Sequence, residues 1–229
     1  MKRIFKNITG LFLLVMVFSA CKKNDYLKGG TIRSNKVNVS TYDYLKSNPA
    51  GLFDTLLLLI DKAGLKDKIN QPGTTFFAPT DYAVNNYLAR RATQEQNINP
   101  FRKWTIDSVF KYEMAKFTDS LNVYIVPGTL TYDKLTMDGT VYPTQKSGTS
   151  CVVSYEQTFD PVYGYNANVS NIPQLVWFTL ILQTLTPPVV AADIDTDHGT
   201  RVRVQTSGVE STTGVIHVLN NSHRLFFRK

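Results

Sequence analysis

The side chains best suited to recognition lie mid-chain, where Tyr155, Phe159, Tyr163 and Tyr165 fall within eleven residues among Pro161, Gly164 and Asn166, followed by Trp177 and Phe178. Flat amphipathic rings on a loop can stack on sugar faces or anchor a protein interface. Each buries a large apolar area while its hydroxyl or indole N–H still finds a partner. The plainer reading is that the rings cover a local satellite core. The two readings divide on whether Tyr155, Tyr163, Tyr165 and Trp177 are exposed and coplanar.

A second constellation is Asp193, Asp195 and Asp197, followed by His198 and Gly199. On an extended segment alternate carboxylates face one side and could hold a hard cation such as Ca²⁺. A helix-loop-helix calcium loop counted from Asp193 needs glycine where His198 sits and a bidentate glutamate where Val204 sits. Neither is present, so the expectation is an acidic solvated loop near Arg201 and Arg203, with no metal and no other cofactor.

Catalytic candidates are thin. His198, His217 and His223 are the three histidines, and their spacing does not match His-Glu-x-x-His. The sequence also contains no Gly-x-Ser-x-Gly elbow and no Gly-x-x-x-x-Gly-Lys phosphate loop. His217 sits between Ile216 and Val218 with no nucleophile or carboxylate identifiable beside it, which predicts a hydrogen-bonded structural histidine and a protein that is not an enzyme.

The N-terminus addresses the chain. Lys2, Arg3 and Lys6 precede the apolar run from Leu11 to Ala20, which is too short for a permanent membrane span. Phe18-Ser19-Ala20-Cys21 then resembles the lipobox at which bacterial lipoprotein precursors are cleaved and the new terminal cysteine is diacylated. The expectation is a signal peptide over 1–20, a lipid-anchored tether over 21–38 and a domain over 39–229 in a Gram-negative bacterium. Lys22 resembles the sorting pattern of outer-membrane lipoproteins, and exposure at the cell surface is compatible with it.

With Cys21 lipidated, Cys151 has no partner in the chain, and its neighbours Val152 and Val153 predict a buried small hydrophobe. The net charge of +7 falls once three basic residues leave with the signal, to 22 Lys+Arg against 18 Asp+Glu, or +4. The remaining cations are scattered apart from Arg90-Arg91 and from Arg201 and Arg203 on one side of a predicted strand. Nucleic acid is therefore not an expected partner.

These groups must be positioned by one core, for which 229 residues at 43% hydrophobic content suffice. Ser40 and Asp43 have the form of a capping box, and Leu52 to Ala63 is dense enough in leucine to predict a helix buried almost all round and ending at Gly64. A second helix is expected after Asp81 on Ala83, Val84, Tyr87 and Leu88, and a third on Ile106, Val109, Phe110, Met114 and Phe117. Strand-like runs follow at 121–126, 151–155, 175–182, 200–206 and 215–219, with turn signals between them. Helices gathered early and strands gathered late predict an α+β domain.

The run Thr74-Thr75-Phe76-Phe77-Ala78-Pro79-Thr80-Asp81-Tyr82-Ala83-Val84 resembles the first signature of fasciclin domains. In it Phe76 and Phe77 fill the core, Pro79 ends a strand, and Thr80 or Asp81 caps the next helix. Gly214-Val215-Ile216-His217-Val218-Leu219-Asn220-Asn221-Ser222-His223-Arg224-Leu225 resembles the second signature, a strand entered through glycine with a central histidine. Between them, Pro127-Gly128 matches the family's Pro-Gly turn, but Val123-Tyr124 stands where many members have Tyr-His, and Asn220 where an acid is common. Adhesion of the integrin type, associated with that Tyr-His pair, is therefore not carried over.

The resemblance implies a fasciclin-like β-sandwich wedge with N-terminal helices packed on one side and an enlarged middle region over about 133–200. It also implies a non-enzymatic adhesion or interaction module that binds an extracytoplasmic protein or cell-surface component. The alternative it implies is a carbohydrate-binding accessory subunit of an outer-membrane glycan uptake complex.

Overall fold

The structure is a computed structural model that describes residues 35–227 except residue 169. The expected signal peptide, Cys21 and most of the tether lie outside the described residues. Ser40 caps α1 (Thr41–Lys46), its Oγ accepting from Asp43 N–H at 3.1 Å and donating to the Asp43 carboxylate at 2.7 Å. The capping signal is read correctly in position, although Asp43 meets the Ser40 hydroxyl rather than its backbone amide.

The next helix, α2 (Asp54–Lys62), buries Leu56, Leu57, Leu59 and Ile60. Burial almost all round is not what folding produces, because Leu58 is 41% exposed. Asp54, Leu58, Asp61 and Lys62 form the outward stripe that an α-helical period generates. Gly64, at φ +65°, stops the helix. A short α3 (Lys66–Ile69) then leads into the fully buried β1 (Thr74–Ala78).

After Pro79 comes α4 (Asp81–Ile98), which turns Ala83, Val84 and Tyr87 inward. The single helix expected from Ile106 to Phe117 is two, α5 (Ile106–Tyr112) and α6 (Met114–Leu121), broken at Glu113. The break leaves the Glu113 carboxylate accepting from the Tyr87 hydroxyl at 2.7 Å and from Arg91 Nε at 3.1 Å, so a polar clasp interrupts an otherwise continuous apolar stripe.

The remaining strands are β2 (Ile125–Pro127), β3 (Thr140–Pro143), β4 (Ser150–Gln157), β5 (Gln174–Ile181), β6 (Gly199–Glu210) and β7 (Gly214–Leu219). The run at 121–126 is not extended throughout as its composition predicts: Leu121 closes α6, and residues 122–124 form a 3₁₀ turn before β2 begins. β3 has no clear sequence signal. One sheet results, ordered β2-β1-β7-β6-β5-β4-β3, with β1 and β7 parallel and the other pairs antiparallel.

β6 makes this sheet a wedge. Its first part, Gly199 to Arg203, pairs with β5, and its second part, Val204 to Glu210, pairs with β7 through two register shifts. Bulges bend and twist a strand, so β6 belongs to two half-sheets that fold toward each other. Phe77 of one half meets Phe178 of the other at 4.6 Å between ring centres. The far edges approach as well, since Gln145 N–H donates to Ile125 C=O at 2.8 Å. The helices gather on the β1 and β7 half, where α3 packs on β1 and α1 on β7. The α+β wedge expected from the sequence is the fold observed.

Two local details hold it. Gly214 allows β7 to lie against β1, because a Cβ there would sit 2.1 Å from Thr74 C=O. At the start of the unit, Val37 N–H donates to Glu210 C=O at 2.8 Å and Glu210 N–H to Asn35 C=O at 2.9 Å. These bonds tie the chain from Asn35 onward to the end of β6.

Candidate functional site

The signature residues prove to be internal scaffolding. Pro79 follows β1 and is buried, and Thr80 occupies the N-cap position of α4 without capping it, its hydroxyl donating instead to Asn221 Oδ1 at 3.0 Å. Asp81 likewise does not cap the helix it opens. Its carboxylate accepts from Thr55 N–H at 2.8 Å and Leu56 N–H at 2.9 Å. It thereby caps α2. The expectation of a cap on the next helix is corrected: the aspartate faces the exposed N–H groups of a helix earlier in the chain.

Pro127 ends β2, and Gly128, at φ +102°, returns its N–H to Gly73 C=O at 2.7 Å and accepts from the Thr75 hydroxyl at 2.6 Å. His217 is fully buried, with Nε2 2.9 Å from Leu130 C=O and Nδ1 accepting from Gly208 N–H at 3.3 Å. Those partners require the neutral tautomer protonated at Nε2. Burial pushes its pKa down to about 4. His217 is thus the hydrogen-bonded histidine that the sequence suggests.

Asp193, Asp195 and Asp197 do not share one side of an extended segment. Asp193 closes a 3₁₀ turn, and Asp195 Oδ1 accepts from Asp197 N–H, His198 N–H and His198 Nδ1 at 2.9, 2.9 and 2.8 Å. The His198 bonds hold the Asp195 carboxyl below the usual range. Among the described residues no group of three or more histidine, cysteine, aspartate or glutamate side chains could hold a metal ion. Cys151 is buried, and burial pushes its thiol well above the ordinary range, as a packing role implies.

The aromatic set divides. Tyr155 lies on the core face of β4, pairing across the ladder with Val176 and stacking on Tyr132 at 5.9 Å. Phe159 and Tyr165 meet edge to face at 5.2 Å on the loop beyond β4, with Phe159 61% exposed. Tyr163 and Trp177 go elsewhere, to the opposite face of the β5–β6 ladder. Each carries a guanidinium on its ring, with Arg203 4.7 Å from the centre of Tyr163 and Arg201 3.9 Å from that of Trp177. Tyr155, Tyr163, Tyr165 and Trp177 are therefore not one coplanar platform.

Tyr163, Trp177, Arg201, Arg203, Asn220 and Arg224 line a cavity of about 480 Å³ that opens to solvent, with Phe227 and His223 forming its inner wall. Strand alternation places Arg201 and Arg203 on the face that Trp177 shares, because Trp177 pairs with Arg203 and Thr179 with Arg201. The Arg201 side chain lies 2.6 Å from Glu156 Oε1, while Arg203 and Arg224 make no ion pair among the described residues. No aspartate or glutamate lines the cavity among those residues. Three guanidiniums, two aromatic rings and an amide make a surface fitted to bind an anion.

A family model for the fasciclin domain matches residues 51–222. The chain belongs to the fasciclin domain family. A comparison with curated proteins finds no match. Among solved structures, the chain is similar to a FAS1 domain pair from the insect cell adhesion molecule fasciclin I, at 16% identity and a TM-score of 0.44. That likeness covers 78% of this chain and 46% of the other, so this chain spans less than half of it.

Within this fasciclin domain, sequence reasoning found Tyr163 and Trp177 but not the arginines as their partners. The alternation of Arg201 and Arg203 is visible in the sequence, whereas the approach of Arg224 and Asn220 depends on the path of the chain after β7. The one signal that the sequence carries is that no acid lies between residues 198 and 209 to pair with these arginines within their own strand.

Proposed function

We propose that this fasciclin domain is a non-enzymatic interaction module, held at the outer membrane of a Gram-negative bacterium by lipid on Cys21, that binds a protein partner through the arginine-lined cavity. The observation that carries the reading is the pairing of Arg201 with Trp177 and Arg203 with Tyr163 on the wall of that cavity. Arginine and large aromatic side chains concentrate binding energy at protein interfaces, the ring supplying area and the guanidinium direction. Among the described residues no hydrogen bond joins the Thr200 or Ser222 hydroxyl of the lining to a base. The lining's buried His223 is engaged with the Tyr124 hydroxyl at 2.7 Å. Anchoring rests on the lipobox resemblance at Phe18 to Cys21. Among the described residues no helix is long and apolar enough to cross a membrane.

The glycan-capture alternative asks for ring faces free to stack on sugars. Here one face of each ring in the cavity is occupied by a guanidinium, which favours a protein partner. The test is affinity capture with the acylated protein from detergent-solubilised outer membranes, alongside a glycan array probed with the same protein. A stoichiometric membrane-protein partner with a blank array is expected. Glycan binding that is lost in Tyr163→Ala or Trp177→Ala would replace this reading with carbohydrate capture.

A further inference from the structure

The cavity lies where β6 loses one neighbour. β7 ends at Leu219, opposite Val204, and the last bond on that side runs from Asn220 N–H to Arg203 C=O at 2.9 Å. On the other side, Leu182 N–H donates to His198 C=O at 2.8 Å. Residues of an antiparallel ladder alternate between facing their partner strand and facing away. Phe178 with Val202 and Leu180 with Thr200 are therefore the bonded pairs, while Thr179 with Arg201 is not. It follows that the N–H and C=O of Arg201 point away from β5, past the end of β7 and toward the cavity. An open strand edge along Thr200 to Arg203 thus meets the side chains of Arg201, Arg203 and Arg224 at the cavity.

We propose that this edge takes an extended acidic segment of a partner protein, which adds as a strand beside residues 200–203 and places its carboxylates on Arg203 and Arg224. The inference rests on the interaction-module reading and names its ligand. Backbone pairing supplies an affinity indifferent to sequence, and the side chains at alternate positions supply selectivity. The charge pattern chooses acids: among the described residues, Arg203 and Arg224 have no carboxylate partner and the lining contains none. Arg203 is half-buried and held by Tyr163, so its guanidinium is pre-oriented and gives up little freedom on binding. A bidentate carboxylate on a fixed guanidinium is the strongest contact that this lining can make. An open edge also needs management, since unpaired strands invite uncontrolled pairing. Positive charge along it rejects basic and neutral strands and admits acidic ones.

The acylated full-length protein in neutral detergent is titrated into three fluorescein-labelled probes: an eight-residue peptide alternating glutamate with valine, the same peptide with every backbone nitrogen methylated, and oligogalacturonate of equal charge. The alternating peptide should bind, weaken steeply between about 50 and 300 mM salt, and lose about tenfold or more in affinity against Arg203→Glu and against the exposed Arg224→Glu. The N-methylated peptide should bind about tenfold more weakly, because it keeps its carboxylates but has no backbone N–H to donate to the edge. Equal binding of the two peptides, tighter binding of oligogalacturonate, or no binding of the alternating peptide would each overturn the assignment. If the membrane partner is captured by the parent and lost with Arg203→Glu while the alternating peptide does not bind, the interaction reading stands and the acidic-strand assignment alone falls. Thermal melts of both variants within a few degrees of the parent show that any loss is local.

Discussion

The Tyr124 hydroxyl lies 2.7 Å from His223 Nε2 while accepting from Phe226 N–H at 2.8 Å. With the phenolic oxygen accepting from Phe226, the ring nitrogen is the acceptor that the hydroxyl proton finds among the described residues, which assigns Nε2 of His223 as acceptor and leaves the ring proton on Nδ1. Burial pushes its pKa down to about 3. Tyr124 stands where many fasciclin domains have a histidine, and here it anchors the C-terminal segment that forms the inner wall of the cavity.

Acid should therefore unfold this domain early. Both His217 and His223 have folded pKa values depressed below the unfolded value near 6.5, to about 4 and about 3. Between those limits the unfolded chain binds more protons than the native one, so stability rises with pH. The stabilisation is full above about pH 6.5 and is lost as pH falls toward 4 and below, with His217 contributing on the order of 3 kcal/mol across its window. Melting temperature measured from about pH 7.5 to 4.5 should fall steadily, and the His217→Gln variant should show a shallower fall. A flat profile in the parent would contradict the burial of both rings.

Gly214→Ala should be the most damaging single-methyl change in the sheet. The added carbon would meet the Thr74 carbonyl, a backbone atom that cannot swing aside, and the parallel β1–β7 pair must separate. Overpacking against backbone costs about 3 kcal/mol. Chemical denaturation of the purified variant reads it directly, and a loss under about 1 kcal/mol would show that the strands are not held so close.

Asp81→Ala should destabilise α2 rather than α4. Two backbone N–H groups at the start of α2, those of Thr55 and Leu56, lose a charged acceptor. The cost of losing such a cap is roughly 1 to roughly 2 kcal/mol. Hydrogen exchange should speed up at Thr55 and Leu56 with little change at Ala83 and Val84. Faster exchange confined to α4 would restore the local cap that its sequence position suggests.

The aromatic loop offers a contrast within one stretch of chain. Tyr155 packs on the core face of β4, whereas the Phe159 ring is 61% exposed. Tyr155→Ala should cost about 3 kcal/mol and Phe159→Ala under about 1 kcal/mol, read by chemical denaturation of each variant. Equal losses in the two variants would mean that the loop is a satellite core after all.

Elements whose side chains follow one clear period are legible in the sequence: α1 through Ser40, β1 through its phenylalanines, and β4 to β7 through short apolar runs. So are the turns at Gly64 and Gly128. What escapes prediction depends on contacts distant in sequence or on local folding of a polar loop. Glu113 breaks a helix to meet Tyr87 and Arg91, Asp81 reaches back to Thr55, and Asp195 folds onto His198. The cavity shows the same limit, since Tyr163 and Trp177 are readable as rings, while their guanidinium partners and the open edge of β6 emerge only when β7 ends and the chain turns at Asn220.

The most direct test of the account compares the partners captured from solubilised outer membranes by the acylated parent protein and by an Arg203→Glu, Arg224→Glu double variant with an unchanged melting temperature. The account predicts a stoichiometric membrane-protein partner with the parent and its loss with the variant. A partner retained equally by both proteins would place the binding surface elsewhere on the domain and contradict the arginine-lined cavity as its site.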